Sequence, residues 1–312
     1  MSGANRPFLA VYGHVTVDQI LSVSRFPKVN ETVDVVHKQT VLGGTGTNIA
    51  ITAAKLGVPT AICTMVGEDF SPVYEGFMRG SGLIMDDFVK VPEYETSQAV
   101  IINDEDKEQR VIFYQGPMGS ASRIGRKLID SAAAAEHVHF CTGDPEYYIS
   151  LMSELAGNGP RIALDPAQEV YKMWDEDKLT RALELSDALF CNDYEAEVIE
   201  RLLGIGDIMS VSLPTVVRTL GGKGSLAKID GKLYEIPAAA ADRFADATGA
   251  GDAYRAGYYA GLYHGYGDLD SLMIAATVAS FVVEKVGALE NIPAWNQVME
   301  RAERLFRIRP CR

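Results

Sequence analysis

Five short apolar runs, each about as long as a buried strand, constrain this chain more than any other feature of it. "FLAVYG" (8–13), "TAICTMVG" (60–67) and "HVHFCTG" (137–143) end in glycine, and "RIALDP" (161–166) and "ALFCN" (188–192) have similar lengths without it. Apolar runs of this length belong to strands covered on both faces, as in a parallel sheet. Stretches with helical spacing lie between several of them, including "TNIAITAAKLG" (47–57), "YYISLMSELAG" and "YEAEVIERLLG". Gly57 stands where a helix C-terminal glycine belongs. Strand and helix in alternation predict an α/β fold with a doubly wound, mostly parallel sheet.

The rhythm breaks in two places. "SQAVIINDEDKEQRVIFYQG" reads as two strands joined by the polar turn Asp104 to Glu108, and "ETVDVVHKQTVLGG" (31–44) alternates as a strand with one wet face does. Together they predict a small β-sheet lid built from about 14–41 and 94–116, standing off a single domain that spans 1–312. Ala132 to Ala135 reads as helix. A chain of 312 residues can bury the sizeable core this requires.

The net charge of −13 argues against nonspecific binding to nucleic acid or to an anionic membrane, because both need a positive surface. No apolar stretch approaches membrane-spanning length, and "MSGANRPFLAVYG" has too short an apolar run for a signal peptide, so the cytoplasm is the expected location. Cys63, Cys141, Cys191 and Cys311 are too scattered for a zinc site and read as buried thiols. The five histidines suggest no metal site.

Ligands of open α/β sheets sit outside the carboxyl ends of the strands. Asp144, Asp165, Asn192 and the turn 246–252 all follow strand-like runs, so they are expected to share one crevice. In "DATGAGD" (246–252), Gly249 and Gly251 allow backbone angles that side chains forbid, and a helix start with unpaired N–H groups attracts an anion. If the amides of Gly249, Ala250 and Gly251 hold a phosphate, Asp252 can take the proton of an attacking hydroxyl. The plainer reading makes Asp246 or Asp252 a helix-start acid. "TLGGKGS" (219–225) lacks the spacing of a P-loop, and its glycines form either a tight turn between strands or a backbone cradle near a nucleotide.

"DATGAGD" and "GGTGTNIAITAAKLG" (43–57) closely resemble the two signatures of the ribokinase-like (PfkB) carbohydrate and nucleoside kinase family. "CNDYE" (191–195) resembles the family's N-x-x-E pattern and "TLGGKGS" its nucleotide loop. Within the family, "TGDPEYY" (142–148), "LDPAQE" (164–169), "GDAYRAG" (251–257) and "AATVASFVVEKVGALENIPAW" (275–295) look like the archaeal nucleoside kinases. Arg255 departs from the bulky apolar residue frequent in the sugar kinases.

The resemblance implies phosphorylation of a ribonucleoside 5′-hydroxyl, with a ribokinase or fructokinase type of sugar kinase as the alternative. It makes Asp252 the base, with Gly249, Ala250 and Gly251 as the anion hole. Asp18, Gly43, Gly44 and Asn48 would hold ribose hydroxyls, and Thr219, Gly221, Gly222, Gly224, Thr248 and Asn291 would line the nucleotide. Asn192 and Glu195 would organise magnesium and phosphate through water. ATP is the implied donor, since the related ADP-dependent kinases are longer chains, and a monovalent cation is compatible with the family. A homodimer through the lid is expected because a hairpin leaves strand edges open. Asp18 also reads as a strand-end turn residue, Glu195 as a first-turn acid and His14 as a satisfied histidine. Phe113, Tyr114 and Gln115 read equally as lid core or as groups that reach the base or sugar.

Overall fold

The computed structural model describes residues 6–106, 108–157 and 159–309. The chain begins the main sheet with β1 (Leu9–Tyr12), leaves it for β2 (Thr16–Val23) and β3 (Val35–Gly43), and returns through helix α1 (Thr45–Lys55) to β4 (Thr60–Gly67). Helix α2 (Pro72–Gly80) leads to β5 (Phe88–Val91), after which β6 (Gln98–Asn103) and β7 (Gln109–Tyr114) leave the sheet again. Two short helices, α3 (Ala121–Ile124) and α4 (Asp130–Ala134), precede three strand–helix units. These are β8 (His137–Phe140) with α5 (Pro145–Leu155), β9 (Arg161–Leu164) with α6 (Glu176–Glu184), and β10 (Ala188–Asn192) with α7 (Asp193–Leu203). Strands β11 (Thr215–Thr219), β12 (Ser225–Ile229) and β13 (Lys232–Ile236) complete the sheet, and α8 (Ala250–Tyr263), α9 (Asp268–Val282) and α10 (Trp295–Phe306) follow.

The main sheet has nine strands in the order β13-β12-β11-β10-β9-β8-β1-β4-β5. All neighbours pair in parallel except at one edge, where β12 is antiparallel to both β11 and β13. Side chains along β1 alternate between two cores, which is what double winding means. Leu9 and Val11 pack with Ile49, Tyr259 and Leu272 on one face. Ala10 and Tyr12 pack with Phe140, Tyr148 and Leu164 on the other, where the Tyr12 and Phe140 rings stack at 4.5 Å. Strand order reverses around β1, so the crevice beyond the ends of β1 and β8 is the topological switch point.

The lid is a separate sheet in the order β3-β2-β6-β7. The turn after β6 forms as expected, closed by Asp104 N to Glu108 O at 3.2 Å and Glu108 N to Asp104 Oδ1 at 2.9 Å. Two expectations change here. The hairpin is not alone, because β6 pairs in parallel with β2; the open edges belong to β3 and β7. Nor does β3 have one wet face: residues 35–40 are all exposed, because this part of the strand has no layer packed against it.

The buried-thiol reading holds for Cys63, Cys141 and Cys191, while Cys311 lies outside the described residues. Among the described residues no helix is long and apolar enough to cross a membrane.

Candidate active site

Two helices begin at the switch point without a side-chain cap. Helices α1 and α8 start on Gly44 (φ 96°) and Gly249 (φ 76°), and no side chain bonds to their first amides. By contrast, α2, α5, α6 and α7 are capped by Ser71, Asp144, Asp175 and Asn192. An uncapped start leaves N–H groups for a ligand. Both glycines are required by space as well as by angle: a Cβ on Gly44 would run into the His14 carbonyl, and one on Gly249 into Ala288.

A single hydrogen bond joins the two helix starts. Asn48 Nδ2 donates to Asp252 Oδ2 at 2.8 Å, and Asn48 Oδ1 is buried with no protein partner. Asp252 is half-buried in the first turn of α8. Burial pushes its carboxyl up to about 7, with Asp165 and Glu195 adding to the rise and the Asn48 bond and Arg255 opposing it. A carboxyl with a pKa near 7 can exchange a proton at neutral pH.

The lid contributes Asp18, which lies opposite Val41 in the β2–β3 pair and accepts from the Ala99 amide at 3.1 Å. Burial raises its pKa as well. A Cβ on Gly43 would collide with the Asp18 carboxylate, so that glycine is what admits the acid. A hydrogen bond from Thr16, two residues earlier on β2, opposes the rise in the Asp18 pKa. Asn48 Oδ1 is the buried polar atom beside Asp252 that a hydroxyl-bearing ligand would satisfy.

On the far side of the glycine turn lies a cavity of about 440 Å³, lined by Thr219, Gly221, Gly222, Gly224, Ala250 and Gly251. Its remaining walls are mostly apolar: the alanines at 238–241, Phe244 and Tyr254. "TLGGKGS" makes the tight turn between β11 and β12, paired Thr219 to Ser225, and its glycines also line the cavity.

Asn192 and Glu195 form a reciprocal capping box at the start of α7: Asn192 N donates to Glu195 Oε2 at 2.7 Å and Glu195 N to Asn192 Oδ1 at 2.8 Å. This holds both side chains in place and uses one oxygen of each. Among the described residues there is no group of three or more His, Cys, Asp or Glu side chains able to hold a metal ion. The pair fits an ion held mainly by water and phosphate, the usual state of magnesium.

Thr248 and Asn291 are not on the cavity wall. Thr248 Oγ1 donates to Asp246 Oδ1 at 2.8 Å, and Asn291 Nδ2 donates to the Phe281 carbonyl. Asp144 caps α5 with one oxygen and accepts from the Ser122 amide with the other. Asp165 lies beneath the crevice, paired with Arg255. His14 is buried, with Nε2 3.1 Å from the Gln115 carbonyl, and burial lowers its pKa to about 4. Phe113 packs against the His14 ring, Gln115 Nε2 donates to both oxygens of Glu169 at 3.1 Å, and Tyr114 is exposed. Thus Phe113 and Gln115 join the lid to the body.

Sequence reasoning missed the apolar cavity wall and the pairing of Arg255 with Asp165 beneath the turn. An alanine run at 238–241 with Phe244 beyond it was the signal for the first. A charged residue three positions after Asp252, in a helix otherwise made of small and aromatic residues, was the signal for the second.

A doubly wound sheet, a stand-off lid and an uncapped glycine turn between an acid and a cavity define a small-molecule kinase. The pfkB family carbohydrate kinase domain matches residues 6–295, and the chain belongs to that family. It is 32% identical over 306 residues to the nucleoside kinase of Methanocaldococcus jannaschii, covering 97% of this chain and 99% of that one. The crystal structure of that enzyme superposes with a TM-score of 0.88 at 30% identity, covering 96% of this chain and 100% of the other. The Burkholderia thailandensis nucleoside kinase in complex with inosine gives a TM-score of 0.85 at 25% identity, covering 97% and 98%.

Proposed function

We propose that the chain phosphorylates the 5′-hydroxyl of a ribonucleoside with ATP and magnesium, in the cytoplasm, with Asp252 as the base. The observation that carries this reading is the placing of Asn48. Its amide nitrogen bonds to Asp252 and its oxygen is left to accept from a hydroxyl, so one side chain couples the grip on a substrate to the group that deprotonates it. The similarity to the Methanocaldococcus jannaschii nucleoside kinase and to the inosine-bound Burkholderia thailandensis enzyme supports a nucleoside over a free sugar.

In this reading Asp18 and Asn48 hold the ribose, since a carboxylate accepts from vicinal hydroxyls and an amide both donates and accepts. ATP bound in the cavity would supply the phosphoryl group, and Asn192 and Glu195 would hold magnesium through water, where the ion would neutralise phosphate charge. Gly249, Ala250 and Gly251 offer their amides to the phosphate, and Asp252 takes the hydroxyl proton as the hydroxyl oxygen bonds to the γ-phosphorus and the bond from that phosphorus to ADP breaks, releasing ADP. Phosphoryl transfer has a loose transition state, so this positioning contributes more than base strength. The lid closes over the substrate and pairs with the lid of a second copy.

The test is a coupled kinase assay over a panel of ribonucleosides including inosine, with ribose and fructose phosphates alongside. Turnover of nucleosides is expected; reaction of ribose or a sugar phosphate alone would move the assignment to a sugar kinase. In the same assay Asp252→Asn should bind nucleotide almost normally and turn over about 10²-fold more slowly or worse. Near-normal turnover would remove Asp252 from the role of base.

A further inference from the structure

Beneath the glycine turn lies a buried charged group that the scheme above does not use. Arg255 sits one turn along α8 from Asp252, and its side chain runs back toward the helix start, as helical side chains do. Its Nε and Nη2 meet Asp165 Oδ2 and Oδ1 at 2.7 and 3.4 Å, a fork-to-fork pairing that fixes the guanidinium. Nη1 donates to the Gly251 carbonyl at 3.3 Å and lies as close to the place where a Cβ on Gly251 would stand. The Phe190 ring lies 5.8 Å away. Asp165 is in turn 3.4 Å from His139 Nε2, and His139 Nδ1 is 2.9 Å from the Tyr259 hydroxyl. Arg255, Asp165 and His139 are all buried. A buried ion pair is seldom a net source of stability compared with apolar side chains of the same size, so its presence here calls for another explanation.

We propose that Arg255 is a positioning residue for phosphoryl transfer. Locked by Asp165, its guanidinium braces the turn from below through the Gly251 carbonyl and sets a fixed positive charge behind the amides of Gly249 to Gly251. That charge opposes the rise that burial imposes on the Asp252 carboxyl and backs the amides where phosphate charge accumulates. The charged and titratable groups that act on Asp252 come from every side: Arg255 from its own helix, Asp165 from the end of β9, Glu195 from α7 and Cys141 from the end of β8, with the Asn48 amide bonded directly. Arg255 favours the carboxylate, and Asp165 and Glu195 disfavour it.

The inference rests on the reading of Asp252 as base, and its test separates the two. The pH dependence of kcat/KM is measured with ATP and inosine, or with whichever acceptor the panel selects. The variants are Asp165→Asn, the double variant Arg255→Met with Asp165→Asn, Arg255→Lys, and Asp252→Asn. Removing both charges should move the acid limb upward by about half a pH unit or more and lower kcat at pH 7 about tenfold, with KM for ATP little changed. Asp165→Asn alone leaves the Arg255 charge unopposed and should move the limb the other way. Arg255→Lys keeps the charge without the fork, so the midpoint should stay while kcat falls.

A pair with a merely structural role would lower activity without moving the midpoint in opposite senses, and that result would overturn the proposal. If the double variant does not fold, Asp165→Asn and Arg255→Lys decide the matter by the same two midpoints. If Asp252→Asn abolishes the limb and the other variants leave it fixed, this inference fails while the base stands. A limb that survives in Asp252→Asn removes the base itself.

Discussion

Asp252 holds a proton at a pH where an exposed aspartate has lost it, and two consequences follow. The base acts as a carboxylate, so kcat/KM should rise with pH and level off above a midpoint near 7, as read in a pH–rate profile. The second consequence concerns stability. The folded state keeps this proton between about pH 4 and 7 while the unfolded chain releases it, so the contribution of Asp252 to stability falls as pH rises through that window. Asp252→Asn should therefore melt higher than the parent at pH 8, by a few degrees, and show no such gain at pH 4. Calorimetry at the two pH values checks the sign. Asp18 and Asn48 lead to a prediction about substrate choice. If they grip the 2′- and 3′-hydroxyls, a 2′-deoxy substrate leaves buried partners unmet, and the ribonucleoside should be favoured on the order of 10²-fold in kcat/KM. Equal values for the two would mean that neither side chain reads the 2′-hydroxyl.

Among the elements, α1 and α8 start without a side-chain cap on glycines of positive φ, and those glycines are set by contact as well as by angle. Gly44 and Gly125 make the comparison clean. Both have positive φ, but a Cβ on Gly44 meets the His14 backbone, whereas one on Gly125 meets nothing within 4 Å. Gly125→Ala should cost about 1 kcal/mol, the price of the angle, and Gly44→Ala at least about 2 kcal/mol, with kcat falling too because Asn48 rides on α1. Urea unfolding of the two variants decides it; equal costs would show that the His14 contact relaxes freely.

For the whole molecule, the lid is a single-layer sheet with open edges at β3 and β7, and Val35, Val36, Val111 and Ile112 stand exposed on those two strands. Open edges and exposed apolar residues of this kind are usually covered by a partner. Light scattering at micromolar concentration should give twice the mass of one chain, and Val36→Asp with Ile112→Asp should halve it; a parent that is already monomeric would end the idea. By itself the sequence determined the double winding, because buried strands leave a local trace in runs such as "TAICTMVG" and "HVHFCTG". It also determined the lid hairpin, through its turn, and the glycine motifs, because each is a contiguous stretch with its own backbone demand. Only the tertiary structure decided that β6 pairs with β2, that Asp144 caps a helix and that Asn291 bonds to the end of α9, since each depends on a partner distant in the chain. The same holds for Asn48 and Asp252, 204 positions apart, and for Arg255 and Asp165, 90 apart. A polar residue shows in the sequence what it can bond to, and only the fold selects its partner, because burial removes the water that would otherwise serve equally well.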